Sequence, residues 1–267
     1  MTTFATHVSV PCALNIEEQR MNNTGLRATA TACFIVFTLA QSSAAENASN
    51  PLSKGRNTDL RIQRTDGDNG EKTDYFIDGA FMARDNLKIK YELHYNDVSE
   101  GGSSSGDWEK TVIKLIYFPT EGLLNETWGY RAALGLDWIV EFGNEDQGIG
   151  TGSDQLGPFA GVAFGNQDTG LSLIPLVQHF FDYNGDTDIS QTALRLIALQ
   201  PFAADYWAKL DLKVPYDWEE DEWSGSAEIQ IGYNINKGVA VYGEALVGMG
   251  GNRSFDEGLG VGLRFRY

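Results

Sequence analysis

The side chains whose types and spacing could do chemistry are charged residues recurring at every second position. They include Lys88, Lys90, Glu92 and His94; Lys110 and Lys114; Arg131 and Asp137; Arg195; Lys209, Asp211 and Lys213; Glu228; Glu244; and Arg264 and Arg266. Gln178 and Gln230 fall in the same phase. Charges at a period of two share one face of a β-strand. Such a wall could favour anionic or polar solutes along its surface, or hold ion pairs between neighbouring strands. Catalysis has little to work with. Beyond residue 45 the only histidines are His94 and His179. A serine hydrolase needs a histidine beside a nucleophile or carboxylate; no serine motif accompanies His94, and His179 is in phase with the apolar Leu173, Val177 and Phe181. Asp182, Asn184, Asp186 and Asp188 alternate like a calcium loop, but the glycine stands at 185 and the closing position would be Ala193. With no phosphate loop, zinc motif or nucleophile elbow, no cofactor, metal site or enzymatic activity is expected.

The elements that must position these charges are strands. In Leu87–Tyr95, Leu87, Ile89, Leu93 and two tyrosines alternate with the charged set, and no stretch from residue 57 onward carries a helical stripe. Trp128, Tyr130, Ala132, Leu134, Leu136, Trp138, Val140 and Phe142 alternate in the same way, with aromatics at both ends and aliphatic residues between. That order suits rings settling at two membrane interfaces around an aliphatic band. Further strands are expected at 57–64, 74–83, 108–118, 154–165, 171–183, 189–200, 206–216, 225–235 and 239–249. Loops are expected at 65–73, 99–107, 119–126, 143–153 and 217–223. The count is about twelve. The segments at 57–64 and 154–165 are the weakest, so ten or fourteen stay open. With both ends on one side of a membrane the number is even, and long outer loops should alternate with short inner turns.

The chain ends on Leu259, Val261, Leu263, Phe265 and Tyr267 alternating with Gly260, Gly262, Arg264 and Arg266. This closely resembles the C-terminal signature of bacterial outer-membrane β-barrels, which implies that those five apolar residues are the signal read by the barrel assembly machinery. Composition agrees. Among 267 residues there are 30 glycines and 12% aromatics, and the mean hydropathy is −0.28, too polar for a bundle of membrane helices. A net charge of −17 argues against nucleic acid as a partner. Met21, Arg27, the apolar run from Ala28 to Ala40 and the small residues Ser43-Ala44-Ala45 read as a signal peptide over 21–45, cleaved before Glu46. Residues 1–20 then form a mis-assigned leader and 46–267 the barrel. Cys12 and Cys33 both fall before the cleavage point.

Three segments, Gly152-Ser-Asp-Gln-Leu-Gly-Pro-Phe159, Ile174-Pro-Leu-Val-Gln-His-Phe180 and Lys209-Leu-Asp-Leu-Lys-Val-Pro-Tyr-Asp-Trp218, resemble a group of proteobacterial outer-membrane barrels described as transporters or likened to the phenol-degradation MetA-pathway family. The resemblance covers the barrel and supplies no active-site motif. It implies an outer-membrane location and a transport role. The expectation is therefore an all-β, transmembrane, antiparallel up-and-down β-barrel of about twelve strands, acting as a channel for small polar or anionic solutes. Its basic residues should concentrate inside, and its acids in outer loops that meet lipid and lipopolysaccharide. The alternative is a non-conducting barrel with a structural or surface-binding role, and an outer-membrane hydrolase comes third.

Overall fold

A computed structural model describes residues 50, 52–67, 70–100, 103–202, 204–251 and 253–267; the leader and signal peptide lie outside these. Thirteen strands follow one another. They are β1 (Asn57–Gly67), β2 (Gly70–Arg84), β3 (Leu87–Glu100), β4 (Ser103–Tyr117), β5 (Glu121–Leu123), β6 (Trp128–Glu141), β7 (Ser153–Asn166), β8 (Ser172–Gly185), β9 (Ser190–Pro201), β10 (Tyr206–Asp217), β11 (Glu222–Asn234), β12 (Val239–Gly250) and β13 (Glu257–Arg266). Each pairs antiparallel with the next in the chain, except that β4 and β5 both pair with β6, and β1 pairs with β13 from Asn57↔Arg266 to Asp66↔Glu257, so the sheet closes on itself.

The barrel has twelve wall positions because β4 and β5 share one. Lys110–Tyr117 of β4 pairs with Leu134–Glu141 of β6, and β5 pairs lower down with Gly129–Arg131. Pro119, which has no N–H to give a ladder, lies in the break between them. The expected turn at 119–126 therefore contains a short strand.

The loops at 65–73, 99–107 and 217–223 are shorter than their polar composition predicts. β1 and β2 stay paired to Gly67↔Gly70, β3 and β4 to Glu100↔Ser103, and β10 and β11 to Asp217↔Glu222. Backbone pairing propagates past the point where apolar alternation stops, since it does not depend on side chains. A 3₁₀ turn at Glu145–Gln147, capped by Asn144 Oδ1 accepting from the Asp146 N–H, occupies the 143–153 loop.

The outer face is apolar across its middle: Ile62, Ile77, Leu134, Leu136, Leu194 and Ile229 are all exposed. Aromatic clusters bound this band. Tyr95 packs edge-on to Trp108, Trp138 Nε1 donates to Tyr183 Oη at 2.6 Å, and Tyr216 meets Trp218 and Trp223 at one end; Phe202, Tyr206 and Tyr233 pack together at the other. An aliphatic belt between two aromatic girdles is the lipid-facing surface of a transmembrane barrel. No described helix is long and apolar enough to cross a membrane; the crossing is made by strands. The end where β1 begins and β13 finishes is called the near end below, and the opposite one the far end.

Candidate functional site

Alternation that sends Leu and Ile outward sends charge inward, and the lumen is built in three tiers. At the near end it is apolar and occupied. The residues before β1 turn into the barrel, with Ser53 N donating to Asn50 O at 3.0 Å and Leu52 N to Asn50 Oδ1 at 2.8 Å. Leu52, 1% exposed, packs among Ile116, Phe118, Ala133, Ala163, Ile174 and Ile197. Lys88 Nζ donates to Ser53 O at 2.7 Å, Arg131 Nη1 to Leu52 O at 2.9 Å, and Lys54 pairs with Glu121 at 2.8 Å. Lys88 and Arg131, expected to line a passage, instead hold this segment in it. A cavity of about 760 Å³ remains beside it, between Asn50, Arg131, Ser172 and Arg266.

The middle tier is a set of ion pairs. On β1, Arg61 Nη2 meets Glu244 of β12 at 2.8 Å and Glu228 of β11 at 3.8 Å, with Asp78 of β2 at 4.0 Å. Gln63 and Gln230 also donate to Glu244, at 3.0 and 2.9 Å. These groups meet because the intervening strand, β13, presents Gly258, Gly260 and Gly262 inward. Nearer the near end Asp59, 1% exposed, accepts from Arg264 Nε at 2.8 Å and Nη2 at 2.5 Å, from Tyr242 Oη at 3.0 Å and from Asn57 Nδ2 at 2.8 Å. A Cβ at Gly262 would overlap the Tyr242 ring. Gly262→Ala should therefore cost about 1–3 kcal/mol, read as a lower urea midpoint for loss of the folded band on an unheated gel; an unchanged midpoint would show that Tyr242 can move aside.

Further round the wall, Arg195 donates to both Asp211 oxygens at 2.7 and 2.6 Å, and Lys209 bridges Asp211 at 3.2 Å and Glu228 at 3.0 Å. Asp137 accepts from Lys114 and from Gln178, both at 2.9 Å, and Lys90 stands 3.8 Å from Glu92. Lys213 differs: its Nζ lies 5.2 Å from the Phe180 ring centroid, and among the described residues it takes part in no salt bridge.

The third tier, toward the far end, centres on His94, whose Nδ1 lies 2.8 Å from Asp74 Oδ2 and Nε2 3.6 Å from Glu92. Lys72 and Lys110 reach Glu109 at 3.0 and 3.2 Å. His179 faces outward beside Thr192 at 2.9 Å.

The inward charged residues read from the sequence all take part in these tiers. What the sequence reading missed are acids. Asp59, Asp74, Asp78 and Glu109 also face in, so the inner wall carries more acid than the sequence reading placed there. Glu109 was hidden by a bulge: His94 pairs with Lys110 and Tyr95 with Trp108, leaving Glu109 unopposed and turned inward beside Lys110. Asp59 and Asp78 lie in plain alternation with Leu60 and Ile77, and that phase was the available signal.

No known protein-family profile matches the chain, and no curated protein matches it. Solved structures do. An outer membrane channel from Pseudomonas putida F1 aligns with a TM-score of 0.61 at 9% identity, over 84% of this chain and 100% of that one. The NanC porin aligns with 0.58 at 10% identity, over 79% and 100%. The KdgM porin in complex with disordered oligogalacturonate aligns with 0.51 at 14% identity, over 79% and 99%. The fold is that of outer-membrane porins and channels. At these identities the likeness is one of architecture.

Proposed function

We propose that the chain is a passive channel of a bacterial outer membrane for small polar or anionic solutes, with the near end facing the periplasm. The observation that carries this is the placement of the cations. In a ring of twelve wall positions, β3 and β4 stand nearly opposite β9 and β10, so Lys90 and Lys114 face Arg195 and Lys213 across the lumen. Acids are densest elsewhere, with Asp59, Asp78, Glu228 and Glu244 on β1, β2, β11 and β12 and committed to Arg61, Arg264 and Lys209. A narrow, low-dielectric passage focuses the field of such facing charges. The likeness to porins, and the resemblance of three segments to barrels described as transporters, support the same reading. In this reading β13 displays Leu259, Val261, Leu263, Phe265 and Tyr267 to the assembly machinery, and the acidic far-end loops meet lipopolysaccharide.

Single-channel recording tests it. Protein purified from membranes should give discrete steps whose reversal potential in a salt gradient favours anions. Lys213→Glu should reverse or abolish that preference, while His179→Gln, on the outer face, should leave it unchanged. Steps that favour cations in the unaltered protein would sink the solute class. Silence from a barrel that still migrates as folded would favour the non-conducting role, which the occupied near end also fits.

A further inference from the structure

We propose that Asp74, His94 and Glu109, with Asn96 beside them, form a binding site for a divalent transition-metal ion on the inner wall of the barrel. One donor atom from each of Asp74, His94 and Glu109 lies within 4.8 Å of the others. An ion about 2.0–2.2 Å from each of three such donors needs them only to close slightly around it. Three adjacent strands supply the set, β2, β3 and β4, and the bulge that turns Glu109 inward completes it. Phe76 stacks on the imidazole at 4.8 Å between centroids and fixes the ring plane.

A second observation points to a ligand at the same place. Asn96 is fully buried, 0% exposed, stands directly across from Asp74 and lies two residues along the same face from His94. Both atoms of its amide lack a hydrogen-bond partner, as do Asp74 Oδ1 and His94 Nε2. Buried polar atoms are normally satisfied, and here four unsatisfied ones gather around one cluster of metal-binding side chains. Asn96 Oδ1 can serve as a fourth donor.

Charge permits the ion. Asp74, Glu109 and Glu92 face Lys72 and Lys110, so with His94 neutral the neighbourhood is one charge negative before a dication enters. The two lysines bind the same Glu109 oxygen, leaving the other for the metal, and they should hold the affinity to a moderate value. Imidazole with carboxylates suits zinc, copper or nickel in preference to calcium or magnesium, which prefer oxygen alone.

The test is calorimetric titration with Zn²⁺ of full-length protein purified from membranes and stripped with a chelator. It should bind one tight ion. His94→Gln should weaken that site about tenfold or more, as should Glu109→Gln, while His179→Gln should not. Folding is checked in each case by gel mobility before and after boiling. If the histidine variant does not fold, the electron paramagnetic resonance spectrum of Cu²⁺ at one equivalent on the Glu109→Gln and unaltered proteins decides. Nitrogen hyperfine structure in the unaltered protein, lost or changed in the variant, supports the site. Unaltered protein that binds no ion saturably, copper coordinated by oxygen alone, or an ion held equally well without His94 or Glu109, as loop carboxylates would hold it, each overturns the site.

Discussion

Replacing Asp59 with leucine should destabilise the barrel by about 3–5 kcal/mol, because the change leaves a buried guanidinium without its carboxylate. Arg264 stands over the adjoining rings of Trp207 and Tyr242, 5.5 and 5.2 Å from their centroids, and it binds Asp59 through Nε and Nη2. The pair spans β1 and β13, the two strands that close the sheet, so the damage falls on the closing seam. The double variant Asp59→Leu with Arg264→Met removes both charges and should recover most of the loss, since a buried ion pair replaced by apolar groups of similar volume is often close to neutral. Urea midpoints of the folded gel band measure both. A double variant no more stable than the single one would show that Asp59 acts through its bonds to Tyr242 and Asn57, with the charge pair secondary.

That contact was half legible in the sequence. Arg264 was placed inside because Leu263 and Phe265 flank it in a clean alternation. Asp59 obeys the same rule beside Leu60, yet the short segment around it was one of the two weakest strand assignments. The general lesson is geometric. Period-two alternation fixes which face a side chain takes, and it put Arg195, Lys209 and Asp211 on the one face where they now meet. Alternation says nothing about shear, and so nothing about which strands bring Arg61 to Glu244 across the glycines of β13. A bulge breaks the period itself, so Glu109 falls out of phase with Lys110 and Lys114. The chemistry around His94 depended on that one residue and was illegible until β3 and β4 were set in register. Strand ends were misjudged for a related reason: the polar runs at 65–73 and 99–107 carry turn chemistry, but paired backbones need none of the side-chain pattern by which strands are recognised.

Removing residues 50–53 should raise single-channel conductance several-fold while leaving ion preference unchanged. The segment fills the near-end mouth, whereas Lys90, Lys114, Arg195 and Lys213 stand further in and stay in place. Its hold is a balance of similar terms. Burying Leu52 contributes roughly 1.5–3 kcal/mol, and the charge-assisted bonds from Lys88 to Ser53 O and from Arg131 to Leu52 O contribute about 1.5–3 kcal/mol each. Fixing the described backbone of the segment costs roughly 1–2 kcal/mol per residue. The terms are of similar size, so removing any one attachment should shift the segment. Leu52→Ala, which loses most of the apolar contact but shortens nothing, should therefore lengthen the open times of the proposed channel. Conductance that is unaltered both by the deletion and by Leu52→Ala would mean that the narrowest point lies in the ion-paired middle tier, where Arg61 and Glu244 meet.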